Sequence, residues 1–484
     1  MGMALMPGAL LAQDTSAIKL DEYIISANKF KENKKHIAQQ IQVIDNKEIA
    51  WTMPQTSAVM LEQTGNIFVQ KSQMGGGSPV LRGFEASRVL LVVDGVRMNN
   101  AVYRTGHLQN AITVDPNMLE RTEVLYGPSS TLYGSDALGG VIHFITRQPQ
   151  FSSDNTLLPK VEAMTRYSSA YGELTGHADF NLGLKRFASL TSVTYSSFGD
   201  LRQGANRSPF NKEFGKRNEY VTRINGKDSI VSNDDPNIQK YSGYNQIDLL
   251  QKFSFKQKEN ILHSLNLQYS TSSDIPRYDR LTDVRNGRLR WGEWYYGPQE
   301  RLMAAYTFHA SEMKGWFDEI KAGLNYQKIK ESRHQRAVGA PELESRIENV
   351  DVAGYHIDLR KNSRKQELSI GTEGQYNKVK SSAYTTRVNN NETQPLDTRY
   401  PDGGSNMMYL AVYAQHVYKI LPNKLLLNGG ARLNYTSLKS EFKDKTFFPF
   451  PYDVAEQQHT AFSGNLGVVY LPHTNWRITL NGST

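Results

Sequence analysis

Within VYRTGHLQN, residues 102–110, three side chains carry usable chemistry: the phenol of Tyr103, the guanidinium of Arg104 and the imidazole of His107. Imidazole is the side chain most often found on metal ions near neutral pH. A guanidinium grips a carboxylate through two parallel hydrogen bonds. Arg82, in SPVLRGF, is a second guanidinium within the same region. His107 reads either as a metal ligand or as an ordinary exposed loop residue, and the choice depends on the elements that hold the loop.

Bulk composition narrows those elements. The chain has 484 residues, of which 39% are hydrophobic, and no apolar run approaches the ~18 residues of a membrane-spanning helix, so a helical membrane protein is excluded. There are 26 Tyr, 19 Phe and 5 Trp but no Cys, a balance that leans toward an envelope compartment where stray disulfides are a hazard. The formal net charge of +8 is spread along the chain among 48 acidic residues. Without a basic block or a recognition motif, it argues against a nucleic-acid partner. MGMALMPGALLA, residues 1–12, reads as the remnant of a secretory signal that lacks its charged start, since no Lys or Arg precedes Lys19.

Two regimes follow an N-terminal segment of residues 13–35. Residues 36–148 mix helix and strand signals. IQVID is a short strand, Pro54 and Gly65 bracket a helix, and NIFVQ, PVLRGF and RVLLVV are strand-like. Asp94-Gly95 is a strong hairpin turn, Asp115-Pro116 opens a helical turn, and GGVIHFIT is a closing strand. This is the pattern of a compact α+β domain.

From residue 149 to 484 helical periodicity disappears. In ILHSLNLQYS, Ile261, Leu265, Leu267 and Tyr269 oppose Ser264, Asn266, Gln268 and Ser270. In LLLNGGARLNYT, Leu425, Leu427, Ala431 and Leu433 oppose Asn428, Arg432 and Asn434. Segments with one apolar and one polar face are the signature of a transmembrane antiparallel β-barrel. The connections alternate between tight turns, around Asn423 and Thr474, and long polar stretches, Gly199 to Tyr244, Ser273 to Gln299 and Ser381 to Ser405. A soluble β-sandwich or propeller would need a packed second face in place of Arg, Asn and Gln. The fold expected is mainly β, an α+β plug domain inside a transmembrane antiparallel β-barrel.

SPVLRGFEASRVLLVVDGVRMNN followed by RTEVLYGPSSTLYGSDALGGVIHFIT resembles the plug domain of TonB-dependent outer-membrane receptors. The resemblance implies a barrel of about 22 strands. About thirteen strand candidates are present, so the sequence is read as C-terminally truncated. LDEYIISANKF resembles the family's TonB box, implying that Asp21, Glu22, Tyr23, Ile24, Ile25 and Ser26 couple the receptor to the TonB energy-coupling complex. A short β-prone peptide can add to another protein's sheet edge; the competing reading makes it the plug's first strand. No HExxH, GxSxG or Cys is present, so transport is expected and an enzyme is not.

Within the family, the plug motif looks most like the haem and haemoglobin receptor branch. That resemblance implies His107 as an axial ligand to haem iron, Arg104 or Arg82 against propionate carboxylates, and Tyr103 stacking or ligating. The expected activity is uptake of an iron-containing ligand, haem first, across the outer membrane of a Gram-negative bacterium. Haem or another iron complex would be cargo, with no intrinsic cofactor. A ferric siderophore or cobalamin receptor is the rival within transport. A non-transporting adhesin or signalling receptor is the rival from another class. Partners implied are outer-membrane lipid, the TonB complex and extracellular haem, a haem protein or a siderophore. His143 is expected to be a structural, hydrogen-bonded histidine. The aromatic and Arg residues of Ser273 to Gln299 are read as a barrel-rim girdle for the Trp residues and a binding surface for the Arg residues.

Overall fold

The computed structural model describes residues 23–25, 29–104, 111–127, 129–473 and 476–484. The plug is built on a five-stranded sheet in the order Gln40–Asp45, Leu119–Tyr126, Gly140–Thr146, Val89–Val93 and Val96–Arg97. Only the central pair, Val89–Val93 with Gly140–Thr146, is parallel. Its strands read as continuous apolar runs because both faces of the sheet are covered. Leu91, Val93, Ile142, Phe144 and Val124 pack on one face with Met60 and Leu61 from the helix Ser57–Gln63. Leu90, Val92, Val141 and Leu125 pack on the other with Ile24, Tyr133 and Tyr413.

Local chemistry sets the ends of these elements. The helix Asn46–Thr52 starts where the Asp45 carboxylate accepts the N–H groups of Lys47 and Glu48. Thr56 caps the second helix, so Pro54 lies just ahead of the helix rather than within its first turn. Asp94 and Gly95 have φ values of 48° and 85°, the paired positive angles of a type I′ turn. The turn also joins plug to barrel. The Asp94 carboxylate accepts from Thr146 Oγ1 at 2.6 Å and Asn266 Nδ2 at 2.8 Å, and lies 3.1 Å from Lys252 Nζ. Burial alone would raise its pKa, but Lys252 and Thr146 hold it below the ordinary carboxylate value.

Among the described residues, thirteen strands run in one antiparallel meander from Leu158–Ser168 to Trp476–Ser483, with no pairing between the first and the last. The polarity of this wall is the reverse of a soluble protein's. In Glu173–Gly183, Leu174, Phe180 and Leu182 are 62%, 47% and 50% exposed, whereas Glu173 and Thr175 are fully buried. The outer face suits lipid and the inner one a polar lumen. Some strands run far past the membrane. Gln366–Arg387 has 22 residues, against the ~9–11 that cross a bilayer. The loop expected from Ser381 therefore begins only after Arg387, because cross-strand pairing with Glu342–Asn362 continues to the end of the strand.

Inward polar side chains satisfy the plug backbone. Gln246 donates to the Ile112 carbonyl at 2.9 Å, Gln327 to Arg97 and Gln375 to Asn99, each at 3.0 Å, and Arg432 to Leu132 at 2.8 Å. Plug carbonyls left over by the plug's own sheet and helices are thereby paired by the barrel wall.

Two tests follow from the plug. Gly140 has a φ of 147° and faces the Leu125 carbonyl, so a Cβ there would collide with backbone. Gly140→Ala is expected to destabilise the plug by ~1–3 kcal/mol, read by denaturant unfolding of the full-length receptor in detergent. His143 is buried, its Nε2 accepts the Gly95 N–H at 3.1 Å, and burial pushes its pKa down to about 4 against the opposing pull of Glu123. The neutral ring contributes its stability fully above pH ~6.5. Up to about 3 kcal/mol should be lost as pH falls toward 4, and His143→Gln should flatten that slope.

Candidate functional site

Long loops and short turns lie at opposite ends of the barrel. The short-turn end includes Ser363–Lys365 and Pro422–Lys424, and the long-loop end includes residues 199–243 and 388–403. Plug residues 101–104 belong to the long-loop end. Val102 packs among Ile329, Val350, Val352 and Val379, its carbonyl accepts Tyr400 Oη at 3.0 Å, and Ala101 donates to Asn377 Oδ1 at 3.3 Å. Two wall contacts and an apolar socket thus fix the chain just before the loop that carries His107.

Tyr103 lies beside Glu331 and Arg301; burial and the Glu331 carboxylate push its pKa up, with Arg301 opposing. It is a neutral phenol, suited to stacking or hydrogen bonding rather than to phenolate ligation. Arg104 faces Glu348, Tyr400 and Arg333. Its Nη1 is buried without a hydrogen-bond partner among the described residues. His107 lies outside the described residues.

Arg82 does not join this group. It occupies a tight turn with φ 51°, and its Nη2 donates to Gln40 Oε1 at 3.0 Å. The adjacent Gln39 carbonyl accepts from Arg477, next to Trp476, which pairs with His473 where two successive strands meet at the short-turn end, so Arg82 points to that end. A position in the linear motif near Arg104 did not translate into proximity, because the strand Val89–Val93 separates the two turns along its length.

The 273–299 segment also departs from expectation. Arg277 stacks 4.5 Å from the Trp294 ring centroid, bonds Tyr296 Oη at 3.0 Å and pairs with Asp279 at 2.5 Å. Trp294 is 3% exposed and Tyr296 1%, so they form a small loop core rather than a lipid-facing girdle.

The segment that resembles a TonB box lies, where described, at the short-turn end. Tyr23–Ile24 pairs antiparallel with Glu32–Asn33 as a separate two-stranded sheet, Ile24 is fully buried in the plug, and Ile25 N–H donates to Glu123 Oε2 at 2.9 Å. Tyr23 borders a cavity of about 800 Å³ also lined by Lys31, His36, Lys419 and His473. Asp21, Glu22 and Ser26 lie outside the described residues. Beyond the segment, Lys29 Nζ donates to Glu373 Oε2 at 2.6 Å and Tyr413 Oη at 2.8 Å, while Arg432 reaches Glu373 Oε1 at 2.6 Å. Sequence reasoning missed Lys29, Glu123 and Glu373. The inward polar face of the strand Leu425–Glu441, which carries Arg432, was the available signal that lumen charges would need partners.

Among the described residues no group of three or more His, Asp or Glu is arranged to hold a metal ion. The site therefore offers a cationic, hydrogen-bonding mouth at one end and a docked, extended peptide at the other.

Comparison with known proteins agrees with this architecture. Residues 33–141 match the TonB-dependent Receptor Plug Domain model, and residues 233–484, more than half of the chain, match the TonB dependent receptor-like, beta-barrel model. The Vitamin B12 transporter BtuB of Vibrio vulnificus (strain CMCP6) is 36% identical over 141 residues, 28% of this chain and 22% of that protein. The Hemin receptor of Yersinia pestis is 31% identical over 213 residues, 41% of this chain and 30% of that protein. The chain thus spans less than a third of the length of these curated relatives. The solved siderophore receptor PiuA from Acinetobacter baumannii superposes with a TM-score of 0.67 at 16% identity, covering 96% of this chain and 66% of that one, a likeness of fold. With plug and barrel models matched in order and a plug seated in a meander of lipid-facing strands, the chain belongs to the TonB-dependent receptor family.

Proposed function

We propose that the protein takes up an iron-containing ligand, with haem as first choice, across the outer membrane of a Gram-negative bacterium, driven by the TonB complex. The observation that carries the reading is the seating of Tyr103 and Arg104. Tyr400 and an apolar socket hold the preceding Val102 at the long-loop end, and Arg104 Nη1 has no hydrogen-bond partner among the described residues. A flat anionic ligand would be met by the aromatic face of Tyr103, the guanidinium of Arg104 and, three positions further along the sequence, the imidazole of His107. The likeness to a protein named Hemin receptor over 213 residues, which is 41% of this chain, supports the same choice.

The coupling half of the proposal uses the opposite end. Tyr23 and Ile24 are held by one short strand pair, and Ile25 by one hydrogen bond to Glu123. A pulling partner has to break few backbone contacts and uncover Ile24 to withdraw the segment, and the released extended peptide has the geometry for strand addition. Lys29 is the next anchor. Its link to Glu373, which also holds Arg432, would transmit withdrawal of the segment to the barrel wall and to Leu132 of the plug.

The likeness to a Vitamin B12 transporter over 141 residues favours cobalamin as the second reading. Absorption titration of the full-length receptor separates the two. Saturable haem binding with a Soret shift, weakened about tenfold or more by His107→Ala, is expected for a haem receptor with His107 on iron. Saturable cobalamin binding with no haem binding would replace that choice. Deleting residues 21–26 is expected to abolish uptake of labelled ligand while leaving its binding to cells intact; unchanged uptake would remove these residues from the coupling step.

A further inference from the structure

The cationic mouth is larger than the plug loop alone. Arg333 projects from the strand Glu319–Ala337, Arg399 from the loop before Gly404–Leu421, and both repel each other and Arg104. Their resident acid is Glu348, on the strand Glu342–Asn362. It lies 3.2 Å from Arg399, has a side chain only 1% exposed, and also feels Arg104 and Arg333. Glu331 is the second carboxylate facing the group, and it accepts from Gln299 at 3.5 Å.

Three guanidiniums therefore meet two carboxylates, and hydrogen bonding within the group is incomplete. Arg104 Nη1, Arg333 Nε and Glu348 Oε1 are all buried without a hydrogen-bond partner among the described residues. Arginine cannot shed its proton to relieve the repulsion. Leaving buried charge and buried donors unmatched costs free energy, whereas an incoming anion would satisfy both. Tyr400, whose ring centroid is 5.8 Å from the Arg399 guanidinium, gives the mouth a flat wall, and Trp294 backs the Arg333 guanidinium at 5.1 Å from within the loop core.

We infer that Arg333 and Arg399, together with Arg104, form a carboxylate-binding site that spans plug and barrel and takes the propionate carboxylates of the ligand. The inference rests on the haem reading above. A bound carboxylate would bridge the plug loop to two separate parts of the barrel wall, so occupancy at the mouth would alter the forces on residues 101–104.

The test is an absorption titration of the full-length receptor with haem and with haem dimethyl ester, whose carboxylates are blocked. The unmodified protein is expected to bind haem about 10- to 100-fold more tightly than the ester, the range of one or two charge-assisted hydrogen bonds. Arg333→Met and Arg399→Met should each bring haem affinity down toward that of the ester and leave ester affinity unchanged. Arg364→Met, exposed in the short turn Ser363–Lys365 at the opposite end of the barrel, should leave both affinities unchanged. Equal binding of haem and ester by the unmodified receptor overturns the carboxylate site while the uptake reading stands, and this comparison needs no variant to fold. Variants that keep full discrimination overturn the assignment of these two arginines. Absence of haem binding in the unmodified receptor overturns both the haem reading and the site.

Discussion

The inner face of the barrel wall has to be polar because its outer face is not. A strand in lipid alternates between hydrocarbon and lumen, so every apolar residue turned outward, such as Leu174 or Phe180, is followed by one turned inward that meets either water or plug. Here the inward positions supply Gln246, Gln327, Gln375 and Arg432, and each donates to a plug carbonyl. The irregular chain between plug strands could not be buried without them. Plug and wall are two halves of one hydrogen-bonding solution.

The same constraint brings charge into the lumen, where it has to be matched. Glu373 is shared by Lys29 and Arg432, Asp94 by Lys252 and two uncharged donors, and Glu123 by Arg121 and the backbone of Ile25. At these places the charges fix how the plug sits. At the long-loop mouth the balance fails, with guanidiniums in excess and buried polar atoms unpaired. What sets the mouth apart is the excess of guanidiniums over carboxylates, the charge that the proposed carboxylate site would use.

The two ends also differ in the kind of order they carry. Residues 101–104 are gripped by an apolar socket of four wall side chains and by a hydroxyl from Tyr400. Residues 23–25 rest on a two-residue strand pair and on the burial of Ile24. Weak local attachment is what a segment must have if it is to leave its seat while the rest of the domain stays folded. Lys29 lies between the two regimes, tied to the wall through Glu373 yet close to the segment in sequence.

Periodicity and turn chemistry were enough to make the fold readable from the residues. The period-two alternation around Leu265 and Asn266, the double positive φ demanded by Asp94-Gly95 and the two-sided apolar runs RVLLVV and GGVIHFIT are local patterns, and local patterns survive without knowledge of the neighbours. The site was readable only in part. Tyr103 and Arg104 fell where the loop suggested, but Arg82 points to the opposite end and Trp294 is enclosed in a loop core. Arg333 and Glu348 come from neighbouring strands whose register sets them close, and Arg399 comes from a long loop that folds back over them. Which residues face lipid is set by alternation along each strand and is therefore written in the sequence; which charges meet across the lumen depends on register and closure between strands, and only the tertiary structure decides it.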